Sequence, residues 1–208
     1  MLVALMPASA SAHRPWFNTG GTPDPHHPYR LTELNVSQVI YSGFDQGDQV
    51  DYYGFTADVA FFLDVRLVVP DVPACAAFRP ALALIGPGLS APDAVTPAPG
   101  NDAASAGLAV LSRSSESGLL VATSSRWGTF FEPFTGTTYA TGPHVQRLLT
   151  GGDYLVAVYA PDRQIGTYGL SLGGTERGGG DAGFQSRIAP YTRCTPPERA
   201  PATPVAAS

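Results

Sequence analysis

Between Gly152 and Leu172 the chain twice runs through a short stretch in which alternate residues are apolar, with the polar Pro161 to Gln164 between them. A period of two is the pattern of a half-buried strand. Two such runs across a polar turn predict a β-hairpin. Most other readable segments share that period, and no long amphipathic helix competes with them. The chain is therefore read as all-β.

The remaining strands follow from the same signal. Val36–Tyr41 and Val50–Ala57 flank a turn rich in Gly and Asp, and Tyr53 and Phe55 share the inward face of the second run. Phe61, Leu63, Val65, Leu67 and Val69 alternate with a face that carries Asp64 and Arg66, which keep an exposed surface soluble. Pro70 and Pro73 end that strand, because proline cannot donate to a ladder. Ala81–Ile85 is a further strand. Leu108–Leu111 and Leu119–Ala122 are predicted to form a hairpin, after a surface loop over 89–105. Residues 13–35 read as an irregular arm, 36–172 as the folded domain, and 173–208 as a tail rich in Gly, Pro and Ala, ordered near Cys194. Many short strands without a repeat of 20–50 residues predict an antiparallel β-sandwich of jelly-roll type.

Several partner classes are excluded by composition. The 208 residues carry a formal charge of -5, and no basic cluster is present, so nucleic acid and anionic lipid surfaces are poor partners. No apolar run is long enough to span a bilayer as a helix. Residues 1–12 end in Ala10, Ser11 and Ala12, which fits the cleavage site of a signal peptide, although a basic start is missing. The expected location is periplasmic or extracellular. Cys75 and Cys194 are the only cysteines, and in an exported chain an even pair is expected to form a disulfide. Two buried free thiols remain the alternative.

Gly47 to Phe55 resembles the D-x-D-x-Y-x-F strand of bacterial pre-peptidase C-terminal domains, with Asp51, Tyr53 and Phe55 in register and Gln49 at the first Asp. Gly152–Val158 and Gly166–Leu172 are similar to the paired G-x-Y motifs of the same family. The resemblance covers roughly 36–172. It implies a small secreted jelly-roll-like sandwich, non-catalytic, serving in binding, targeting or maturation. The centre, 74–142, is longer than the family pattern and looks like a stand-alone exported subgroup.

Three constellations carry candidate chemistry. Trp127, Phe131, Glu132, Phe134 and Tyr139 fall in the aromatic segment 126–142 and can build a platform for a sugar or a partner protein. Alternatively the rings plug one end of the sandwich, with Glu132 capping backbone N–H groups in the turn that follows. His13 becomes the mature N-terminus if cleavage follows Ala12, and its amine and imidazole form a copper chelate to which His26, His27 or His144 adds a second ring. A His that merely follows a signal peptide is the plainer reading. Asp45, Asp48 and Asp51 surround one turn and offer oxygens to calcium, yet their spacing is not that of an EF-hand, and Asx turns explain the first two.

Nucleophile-elbow, zincin, paired-Cys and phosphate-loop signatures are absent from the sequence. The expectation is an exported accessory module, not an enzyme, that needs no cofactor and contacts an exported protein, an envelope complex or a glycan. A copper-binding protein is the alternative, and a secreted hydrolase a weak third.

Overall fold

The computed structural model describes residues 13–89 and 117–199. Two sheets pack face to face. The first contains β1 (Arg14–Phe17), β3 (Gln38–Phe44), β5 (Phe62–Pro70), β8 (Gly128–Glu132), β9 (Thr137–Leu148) and β11 (Gly166–Leu172), in the spatial order β1-β3-β11-β5-β9-β8. The second contains β2 (Tyr29–Arg30), β4 (Val50–Ala57), β6 (Ala81–Pro87), β7 (Ser117–Ala122) and β10 (Gly152–Tyr159), in the order β2-β4-β10-β6-β7. The protein is an all-β sandwich, as the alternation requires.

The inward face of each strand is the apolar set of its period-2 pattern. Ile40 and Phe44, Tyr53 and Phe55, the odd positions Leu63 to Val69, Leu82 and Leu84, Tyr154, Val156 and Val158, and Tyr168, Leu170 and Leu172 meet in one buried cluster. Burial of so many large side chains is the main force holding the sheets together. Polar groups share that parity, and two of them, Ser42 and Asp51, are fully buried.

One prediction from the opening motif is corrected. β10 and β11 do not pair with each other: β10 lies between β4 and β6, whereas β11 lies between β3 and β5. The polar turn between them crosses from one sheet to the other. Alternation specifies which side chains face the core, and two strands on opposite walls satisfy that condition as well as two neighbours do. Leu119–Ala122 belongs to β7, which pairs antiparallel with β6, and the other half of its predicted hairpin, 108–111, lies outside the described residues.

Not every pairing is antiparallel. β1 runs parallel to β3, and β2 runs parallel to β4. The segment read as an irregular arm thus supplies one edge strand to each sheet. Adjacent rings explain the docking of β1: Trp16 packs on the inner cluster and Phe17 on the outer face of the first sheet.

The tail packs well beyond the neighbourhood of Cys194. Thr175 bridges to Val36, and two short helices follow, α1 (Phe184–Arg187) and α2 (Ala189–Thr192). Phe184, Ile188 and Tyr191 are spaced i, i+4, i+7, a helical stripe inside an otherwise turn-rich composition. They cover Val39, Tyr41, Val68 and Tyr139 on the outer face of the first sheet. Cys75 and Cys194 form a disulfide with Cα atoms 5.6 Å apart. It fastens the tail to the 3-10 turn Pro73–Cys75 between β5 and β6.

Candidate functional sites

β8 and β9 form an antiparallel hairpin at one edge of the first sheet. Its turn is held by Glu132, whose carboxylate accepts the backbone N–H groups of Phe134 at 2.9 Å and Thr135 at 2.6 Å. Gly136 closes the turn at φ +64°, a conformation that suits glycine. Tyr139 is buried and stacks on Phe130 with ring centroids 5.8 Å apart, and Phe134 stacks on Phe184 at 4.8 Å. Trp127 lies half-buried over Gly142, under the guanidinium of Arg79 at 5.0 Å, and its Nε1–H donates to the Ser124 carbonyl. Of the five residues singled out in this segment, Phe131 presents the most open ring, 61% exposed. Phe130, which sequence reasoning did not single out, is 38% exposed beside it.

The histidines lie in separate settings. His13 Nδ1 bonds to the hydroxyl of Ser37. Asp24 accepts from His27 Nδ1 at 2.6 Å and from the His26 backbone N–H, and these bonds hold its carboxyl below the ordinary range. His26 also lines a cleft of about 380 Å³ between the arm and the second sheet, with Pro28, Arg30, Asp153 and Leu155. His144 Nε2 lies 2.8 Å from Asp64 on the outer face of the first sheet, and Gln146 donates to the other Asp64 oxygen. Burial pushes the Asp64 carboxyl up, but these bonds and the nearby His144 and Arg66 charges bring it below its usual value. Among the described residues no three His, Cys, Asp or Glu side chains converge as a metal site.

The three aspartates near the first turn also separate. Asp48 is exposed. Asp45 accepts from Gln49 and from the backbone N–H of Arg199. Asp51 is fully buried and occupied by donors: Thr22 N–H at 2.9 Å, Ser42 O–H at 2.8 Å, Tyr168 O–H at 2.5 Å, and both Nη groups of Arg199 at 2.9 and 2.7 Å. A chain of hydrogen bonds leads into it, from Asn18 through the Tyr53 hydroxyl to Tyr168. Burial and the Asp51 charge push both phenols well above the ordinary tyrosine range. Burial pulls the Arg199 guanidinium down, but the Asp51 charge and hydrogen bonds outweigh it and raise it on balance.

Sequence reasoning missed this node in part. Asp51 has the parity of Tyr53 and Phe55, so the alternation already places a carboxylate in the core, where it needs a partner. Nothing in the composition of the tail marks Arg199 as that partner.

The fold and these sites define a two-sheet β-sandwich with a disulfide-fastened tail. Among solved structures the chain is similar to the pre-peptidase C-terminal domain of a collagenase from Bacillus anthracis, at 15% identity and a TM-score of 0.40, over 72% of this chain and 97% of that one. That domain is of the family whose motifs Gly47–Phe55 and Gly152–Leu172 resemble. No family model matches the chain, and no curated protein does.

Proposed function

We propose that this chain is an exported, non-catalytic module that contacts a partner protein through the β8–β9 hairpin. The observation that carries the reading is the exposure of Phe131 on β8, the terminal strand of its sheet among the described residues. A terminal strand offers unpaired main-chain groups to an added strand, and exposed rings beside it supply apolar area. Glu132 and Phe134 act in support, fixing the turn that presents Phe131. The intramolecular disulfide supports an oxidising compartment.

The test is crosslinking from a photoreactive residue at position 131 in the exported fraction, followed by binding of the recovered protein to wild type and to Phe131→Ala. One protein captured, with affinity lost at least tenfold in Phe131→Ala, is the expected result (about 1.4 kcal/mol). Binding that is indifferent to position 131, or a glycan array that responds while no protein is captured, overturns the protein-partner reading.

A further inference from the structure

We infer that the cavity around Asp51 is a recognition site for a guanidinium group, filled in cis by the chain's own Arg199 and able to take an arginine side chain from another extended polypeptide. The inference is independent of the β8–β9 surface.

The cavity has the shape and chemistry of its occupant. Two Nη groups of Arg199 meet the two oxygens of Asp51, the parallel fork that arginine makes and lysine does not. One Nη also donates to the Gly43 carbonyl and lies 3.3 Å from the Ser42 hydroxyl. The face of Phe44 is 5.2 Å from the guanidinium carbon. Gly21, at φ +65°, lies against the guanidinium, where a Cβ would run into Nη1.

Three of the groups that hold Asp51 lie outside the strap. Thr22, Ser42 and Tyr168 hold Asp51 without help from the tail, and they come from the arm, β3 and β11. The ligand half is a short strap beyond the disulfide at Cys194. Pro196 and Pro197 precede Arg199, and proline limits the conformations the strap gives up when it docks. Pro196 packs over Gly43, and the Arg199 N–H reaches Asp45. If the strap leaves, a buried carboxylate loses its counter-charge, so the vacated cavity favours any arginine presented with similar backbone geometry. Attachment five residues upstream gives the internal arginine its advantage through effective concentration.

The experiment uses the full chain with Arg199→Ala and a labelled peptide of the sequence Thr-Pro-Pro-Glu-Arg. Binding to the variant, absent in wild type, with affinity falling at least about thirtyfold when the peptide arginine is replaced by alanine, is the expected result. A lysine peptide binds more weakly than the arginine peptide, and millimolar guanidinium chloride, against sodium chloride, raises the Tm of the variant and not of wild type. Equal responses to arginine and lysine, or equal responses of wild type and variant, overturn the inference. If Arg199→Ala does not fold, a protease site inserted between Thr195 and Pro196 allows the strap to be cut after folding. Exchange of the cut strap for the arginine peptide but not the alanine one supports the inference, and failure to exchange overturns it.

Discussion

The guanidinium of Arg199 lies edge to edge on the carboxylate of Asp51, across 148 positions of sequence, with contacts of 2.9 and 2.7 Å. Both side chains are almost wholly shielded from water. An ion pair so placed adds little over a well-packed apolar pair, but removing one partner strands the other. The pair therefore acts as a lock that holds the segment around Arg199 against Ser42 and Gly43 of β3 and Asp51 of β4.

The disulfide is the second fastening of the tail. Its sequence separation is 119, and the chain-entropy model assigns a loop of that size about 4–5 kcal/mol. Cys75→Ser with Cys194→Ser is expected to lower the urea midpoint by an amount corresponding to a few kcal/mol, with the sheet signal in far-ultraviolet circular dichroism retained in buffer.

Alkali is expected to unfold the protein in one steep step. Burial is the leading cause that raises Tyr41, Tyr53, Tyr139 and Tyr168 above the ordinary value of 10.0. A phenol whose pKa is higher in the folded chain than in the unfolded one stabilises the fold fully below the unfolded value, and that contribution is lost as pH rises beyond it. The phenolate absorbance of these four tyrosines should therefore appear only above pH 10, together with loss of the circular dichroism signal. A gradual rise through pH 10 with the fold intact would mean that these rings are exposed.

Gly86 faces Tyr154, and a Cβ built on it runs into that ring. Tyr154 has no free direction to retreat: its ring stacks on Phe55 at 5.5 Å, and its hydroxyl donates to the Pro87 carbonyl at 2.8 Å. Gly86→Ala is expected to cost about 1–3 kcal/mol by overpacking, read as a lower Tm. Gly136→Ala, in a turn with open space, costs only what its positive φ demands.

Strand positions were legible because burial imposes a period of two on one strand at a time. Val50–Ala57 is β4 to the residue, and the 61–69 run is β5 within one residue at each end. Strand partners were less legible, since Tyr154 and Tyr168 point into the same core from opposite sheets and look, in sequence, like neighbours of a hairpin. The parallel edges β1 and β2 are too short to show a period. Of the aromatic segment, the capping role of Glu132 was readable from the turn that follows it, whereas the stacking of Phe134 was not, because its partner Phe184 comes from far along the chain.

The lock between Asp51 and Arg199 is tested most directly by a double-mutant cycle on stability, with Asp51→Asn, Arg199→Met and the double variant measured by urea unfolding. Each single change is expected to cost about 3–5 kcal/mol. The double variant should recover about 1–3 kcal/mol of their sum, since two stranded groups are removed together. Single costs that simply add, to within about 0.5 kcal/mol, would show that the two side chains do not meet in solution and would contradict the structure at its core.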